Sequence, residues 1–458
     1  MSSAATVTVV ERCAISPPPR SIPPATLPLT FFDIPWLFFS PSQPIFFFAS
    51  ASASQTAVPK LKHSLSLALT HFFPLAGKLV VPAALSAEPH LEYNETDSVL
   101  LIVAAAADGG VFKNLAGNHR RSGGDFRRLV PEMGGGDGQK CPVLGVQITV
   151  FPEIGISIGF TLRNVGADWR TFNNFLKEWA WICKNGAGGR HVAFHDRSVI
   201  LDSSGLRSFF LTEFWKMKNN NNIRALDYSS KSNDKEDILR ATFVLGPKEM
   251  GEIKKWILIR SELVLGSTQL LLSPYVVACA FIWVCWMKTH WCMEVRRGGE
   301  VHYFGFIAGG LTRLPFAVPS NYAGNCVGFG RAAARRGELV GEDGVVYAAK
   351  AIGDTVKKLN LGMLDGARNW ISEWEALRES ELHITVSGSP KLDLYELDFG
   401  WGRPLKFEEV SIHNHNAISL TESRELIGGI EIGVALPPLK MDAFTTLFNA
   451  PLRYNIFV

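Results

Sequence analysis

Several residue clusters in this 458-residue chain have spacings that suggest chemistry, and most of them lie in the wrong local context for it. Gly155-Ile156-Ser157-Ile158-Gly159 matches G-x-S-x-G, which needs its serine on a sharp strand-to-helix turn, whereas Ser157 lies inside an alternating run. Gly328-Phe329-Gly330-Arg331-Ala332-Ala333 fits the dinucleotide pattern loosely, without a clear strand–turn–helix around it. His191 and His195 have the i, i+4 spacing of a metal pair, but their glycine-flanked segment offers no obvious third ligand, so no metal site is expected. The glycine run Gly134–Gly138 lacks the Gly-Lys-Ser/Thr ending of a phosphate loop and reads as a surface loop. His413-Asn414-His415 reads as surface polar residues in a loop or strand. Two places remain. One is the turn Arg163–Ala167 ahead of Asp168. The other is Asp398-Phe399-Gly400-Trp401-Gly402-Arg403-Pro404, where glycines flank a tryptophan as in a tight structural turn with a buried indole.

The elements that must hold the first place are legible. Ile156, Ile158, Phe160 and Leu162 alternate with Ser157, Gly159 and Thr161, which predicts a half-buried strand. From Phe172 the apolar period changes to three and four through Phe175, Leu176, Trp179, Ile182 and Cys183, which predicts a helix with Asp168 as N-cap. Arg163–Ala167 is then an exposed turn on a rigid frame, a common place for function. Leu61, Leu65 and Leu69 predict another helix, ended by the Pro/Gly turn in Phe72–Gly77. Lys184–Ser204 and Lys216–Asp237 are glycine-rich or polar and read together as a long connection between two halves. In the second half helices are expected near Pro247–Ile259 and Val345–Leu359, and strands at Leu382–Val386 and Leu392–Leu397. Leu270–Met287 is nearly apolar, but Ser273-Pro274 interrupts it, so a buried helix is expected rather than a membrane span.

Composition narrows the class. Apolar residues make up 47% and charged residues 19%, as in a globular protein. A net charge of +3 gives no electrostatic case for nucleic acid or an anionic membrane as partner. Seven cysteines with no C-x-x-C pair suggest free thiols in a reducing compartment. No secretory signal is visible near Met1–Arg12.

Several motifs together resemble the BAHD acyltransferases, which move acyl groups from coenzyme A onto hydroxyls or amines. Asp398-Phe399-Gly400-Trp401-Gly402 is similar to the family's DFGWG. Val9–Cys13, Ser16-Pro17-Pro18 and Leu29–Trp36 resemble its N-terminus, and Phe72–Gly77 its FFPLAG segment. Asp125-Phe126 with Leu129-Val130-Pro131 resembles its DF…LVP segment. Asn321-Tyr322-Ala323-Gly324-Asn325-Cys326 resembles the NYFGNC motif of the clade that acylates anthocyanins and other phenolic glucosides, with Ala323 for Phe. The resemblance covers nearly the whole chain.

The resemblance implies an α/β fold of two coenzyme A-dependent acyltransferase (chloramphenicol acetyltransferase-like) halves, a mixed sheet in each, with a solvent channel between them. It places an N-terminal half at 1–184, a crossover connection at 185–237 and a C-terminal half carrying DFGWG at 238–458. The family's catalytic H-x-x-x-D matches Asn164–Asp168, so the aspartate is present and Asn164 stands where the general-base histidine belongs. The glycine usual after the aspartate is Trp169, at a turn where glycine can supply a positive φ. Arg313-Leu314 runs straight into Pro315, without the acidic residue of the family's Arg-Leu-Asp-Pro-Pro. Asp398 belongs to a motif usually taken as structural and remote from the channel. The expected protein is a cytoplasmic monomer with no permanently bound cofactor and acyl-CoA as co-substrate. It would move a malonyl or hydroxycinnamoyl group to a hydroxyl of a phenolic glucoside. The alternative is a catalytically inactive relative that binds a ligand or partner, because an amide cannot act as a base.

Overall fold

The computed structural model describes residues 6–49, 53–83, 87–108, 110–133, 139–186, 188–218, 238–291, 299–379, 383–414 and 416–453. The run Gly134–Gly138, His415 and residues 219–237 of the expected connection lie outside them.

Two mixed sheets dominate. The first has six strands in the order Val7–Ile15, Val99–Ala106, Leu144–Phe151, Gly155–Leu162, Pro44–Ala49 and Lys406–Glu409, with one parallel pairing between Val99–Ala106 and Leu144–Phe151. The second has seven, in the order Val327–Arg335, Val301–Gly309, His383–Ser387, Ala417–Glu422, Ile430–Leu436, Leu239–Leu245 and Arg121–Ser122. His383–Ser387 is parallel to both of its neighbours. A small antiparallel sheet of four strands sits beside the first.

Each large sheet borrows its last strand from the other half of the chain. Lys406–Glu409 closes the first sheet against Pro44–Ala49, and Arg121–Ser122 closes the second against Leu239–Leu245. The borrowed strands meet through buried charge. Arg121 Nη1 lies 2.7 Å from Glu408 Oε1, and Arg240 Nη2 lies 3.4 Å from Glu408 Oε2. Burial works against ionising Glu408, but Arg121, Lys406 and Arg240 outweigh it and hold its pKa below the usual value.

The helices expected from periodicity form at Ala53–His71, Trp169–Asn185, Pro247–Leu265 and Gly344–Leu361. The apolar helix spans Pro274–Trp291 and is buried from Val276 to Met287, because it packs in the core of the second half. Among the described residues no helix is long and apolar enough to cross a membrane.

Three expectations need correction. Gly155–Leu162 is buried along its whole length, not half-buried: its small residues face a second layer, and a Cβ on Gly159 would lie 2.0 Å from the Leu129 carbonyl oxygen. Leu392–Leu397 is not a strand. Asp393 takes a positive φ of 52°, and a short 3₁₀ turn follows at Leu394–Glu396. The connection is not loop throughout its described residues. It contains a helix at Leu206–Lys218, which buries Phe210 and Phe214 four residues apart on one face.

Candidate active site

The strand Gly155–Leu162 ends by pairing with Ser42: each residue's N–H donates to the other's carbonyl at 2.9 Å. The chain then turns. Arg163 goes inward, 1% exposed, and donates to the Pro142 carbonyl. Gly166 donates to the Arg163 carbonyl at 2.9 Å, and a Cβ there would lie 2.4 Å from Val143 Cγ1, so the tight turn requires glycine. Asn164 is left facing an open cavity, with its Oδ1 accepting from Ser42 Oγ at 3.0 Å.

Asp168 caps the next helix, as its position predicted: Oδ1 accepts from the Thr171 N–H at 2.7 Å. Its other oxygen accepts from the Cys326 N–H at 3.1 Å. Its nearest guanidinium is Arg170, 4.0 Å away. Arg170 mainly donates to the carbonyls of Ser320 and Tyr322, tying the same loop to the helix. Arg313 points elsewhere, to Asn360 and the Gly309 carbonyl.

Tyr322, Gly324, Asn325 and Cys326 therefore wrap the turn. Asn325 Nδ2 donates to the Asn164 carbonyl at 2.9 Å and to Asp33 Oδ1 at 2.9 Å. Asp33 is fully buried; its Oδ2 accepts from Thr30 and lies 3.4 Å from Arg197 Nη1. Arg197 Nη1 donates to the Tyr322 hydroxyl at 2.9 Å. A Cβ on Gly324 would lie 1.9 Å from that nitrogen, so glycine makes the approach possible. Burial disfavours the charge on Arg197, but Asp33 and Tyr322 outweigh it and keep the guanidinium charged. Burial pushes the Cys326 thiol up to about 12, with Asp168 adding, so it is no nucleophile.

The cavity that Asn164 faces has a volume of about 390 Å³ and lies between the two large sheets. Trp36, Phe39, Phe329, Trp370 and Trp374 form its aromatic wall, with Phe39 stacked on Phe329 at 5.9 Å and Trp374 edge-on to both. Polar groups come from both halves: Ser40, Ser42 and Asn164 from the first, and from the second His383, Thr385 and Ser387 on one strand with Ser411 and His413 on the 3₁₀ turn Val410–Asn414. Among the described residues its lining includes no lysine or arginine, while Glu375 is on its wall.

This frame has relatives. The Transferase family model matches residues 5–450. The chain is 35% identical to malonyl-coenzyme A:anthocyanin 3-O-glucoside-6''-O-malonyltransferase of Dahlia pinnata, covering 100% of both chains. It is 34% identical to coumaroyl-CoA:anthocyanidin 3-O-glucoside-6''-O-coumaroyltransferase 2 of Arabidopsis thaliana, covering 97% of both. The chain belongs to the BAHD acyltransferase family. Its fold is that of the F. graminearum TRI101 complex with coenzyme A and deoxynivalenol, with a TM-score of 0.66 at 13% identity, over 91% of this chain and 96% of that one. It is thus the two-domain chloramphenicol acetyltransferase-like fold.

With the family fixed, the remaining motif residues fall into place. None of Asp398, Phe399, Gly400, Trp401 and Gly402 lines the cavity. Asp398 Oδ1 accepts from the Gly400 and Gly402 N–H groups at 2.8 and 2.9 Å, and both glycines have φ near 100°. Burial works against its carboxylate, but Lys184 at 2.6 Å and those amides keep its pKa low. Phe399 is the buried ring, edge-on to Trp179 at 5.1 Å; Trp401, expected buried, is half-buried and stacks on it.

Two expectations at the cavity change. Trp169 does not sit at a positive φ: it is the first residue of the helix, and its ring meets Phe172 and Phe407 edge-on while lining the cavity. His413 is not a surface residue but part of the cavity wall. Sequence reading missed Arg197, Ser42, Phe329, Trp370 and Trp374. The partners of Arg197 and Ser42 are far away in sequence and no local period marks those two, whereas Trp370 and Trp374 are four apart on the helix Trp370–Glu379, a spacing that could have marked it. Among the described residues no three of His, Cys, Asp and Glu converge as metal ligands.

Proposed function

We propose that this protein is an acyl-CoA-dependent O-acyltransferase that acylates a hydroxyl of a phenolic glucoside, with a hydroxycinnamoyl rather than a malonyl donor. The single observation that carries the choice of donor is the cavity lining. Trp36, Phe39, Phe329, Trp370 and Trp374 offer flat apolar surface for an aromatic acyl group. A malonyl carboxylate would be desolvated there beside Glu375, with no lysine or arginine among the described lining residues to pair with it. The relatives are named for both donors and for anthocyanin or anthocyanidin glucosides as acceptors, and the TRI101 structure is a complex with coenzyme A. In this reading the segment Asn164–Asp168 is a degenerate H-x-x-x-D, and Asp168 and Asp398 hold structure rather than react.

A second reading is kept because Asn164 is at the cavity: a relative that binds these ligands without turnover. Incubating the protein with p-coumaroyl-CoA and a panel of flavonoid glucosides separates the two. Acylated glucoside by mass spectrometry establishes the transferase. Thermal stabilisation by the ligands with no product establishes the binder, and neither effect sinks both readings.

A further inference from the structure

We propose that two residues share the work of the family's single histidine: Asn164 donates to the acyl carbonyl oxygen, and His413, which lines the same cavity, takes the acceptor's proton. The inference rests on the transferase reading above.

The first observation is the orientation of the Asn164 amide. Its Oδ1 is occupied by the Ser42 hydroxyl at 3.0 Å, so the group left for the cavity is the Nδ2 donor. Its backbone is clamped by Asn325 at 2.9 Å. A fixed N–H donor in a cavity walled on one side by aromatic rings is suited to an oxygen that gains negative charge during reaction.

The second observation is the placing of imidazoles. Of eleven histidines, among the described residues only His383 and His413 line this cavity. His383 is 6% exposed within a strand. His413 is half-buried and stands on the turn that begins at Val410. The Val410 N–H donates to the Gln43 carbonyl at 2.9 Å, and Gln43 adjoins Ser42, the residue that orients Asn164. One hydrogen-bonded frame therefore carries both groups. Asn164 and His413 line the same cavity of about 390 Å³, so one bound substrate can meet both.

The step balances. The acceptor oxygen attacks the thioester carbon as His413 takes its proton; the new C–O bond forms and the carbonyl π pair moves onto the oxygen beside Asn164 Nδ2. The pair then returns, the C–S bond breaks, and coenzyme A leaves as a thiolate that receives the proton from His413.

The test uses the full chain with p-coumaroyl-CoA and an anthocyanidin 3-glucoside, with melting curves to confirm that each variant is folded. His413→Gln is expected to lose about 10²–10⁴ in kcat and to recover part of it with added imidazole. Asn164→Asp, which keeps the shape and removes the donor, is expected to lose about 10²–10³. Full activity in either variant overturns the assignment. So does imidazole rescue of His383→Gln but not of His413→Gln. If the native protein is inert while Asn164→His turns over, the transferase reading gives way to the ligand-binding one and the proposal fails with it, whereas full activity in His413→Gln or Asn164→Asp overturns the proposal alone. If both are inert, the reading fails and the proposal with it.

Discussion

At the scale of single residues, the helix start at Trp169 reverses an intuition drawn from sequence. A tryptophan after the site aspartate looks like an intrusion on a glycine turn. In the structure it is a helical residue with edge contacts to Phe172 and Phe407. Trp169→Gly should therefore destabilise, by about 2 kcal/mol from lost packing and helix propensity, and lower the melting temperature. A higher melting temperature would mean that the indole is strained. His195 gives a prediction about acid. Burial is the main cause that holds its pKa down at about 4, against an ordinary 6.5, where it packs on Phe73 and hydrogen-bonds to the His71 carbonyl. The unfolded chain then binds a proton that the folded chain refuses. The stability from this residue is complete above pH 6.5 and is lost as pH falls towards 4. Melting curves over that window should flatten in His195→Gln relative to the native chain; parallel curves would contradict this.

At the scale of elements, the turn Arg163–Ala167 is held from outside by the loop Tyr322–Cys326 and by two buried side chains, Asp33 far before it and Arg197 after it. Arg197 is 7% exposed, and Asp33 beside it is fully buried. Arg197→Met should cost about 3–5 kcal/mol by leaving a buried carboxylate without its cation, and adding Asp33→Asn should return part of that. Urea titrations of the single and double variants check it; additive losses would mean the two residues act separately. This network also marks where sequence reading stops. Asp168 and its helix were legible, because an N-cap and a 3–4 period are local signals. The motif residues Tyr322–Cys326 were found only through family resemblance. Arg197 was not found at all, since its partner Asp33 lies 164 positions upstream. His413 was misplaced for the same reason: its turn takes its position from Gln43, far upstream.

At the scale of the whole molecule, the strand exchange makes the halves depend on each other. Residues 1–218 alone would leave Pro44–Ala49, which carries Phe46, Phe47 and Phe48, as an uncovered sheet edge without Lys406–Glu409. That fragment should be insoluble when expressed alone and should gain solubility when co-expressed with 238–458. A soluble, cooperatively folded fragment would show that the borrowed strand is dispensable. The same exchange fixes the cavity, because Val410–Asn414 follows directly from the borrowed strand and carries Ser411 and His413 to a cavity that Asn164 enters from the first half. The most direct test of this account is the rate of acylated product formation by the native protein on one anthocyanidin 3-glucoside, measured in parallel with p-coumaroyl-CoA and malonyl-CoA. The account predicts p-coumaroyl transfer with a kcat/KM at least about tenfold above malonyl, because the malonyl carboxylate finds no cation in the described lining. Faster malonyl transfer would contradict the reading of the aromatic cavity, and no transfer from either donor would contradict the transferase itself.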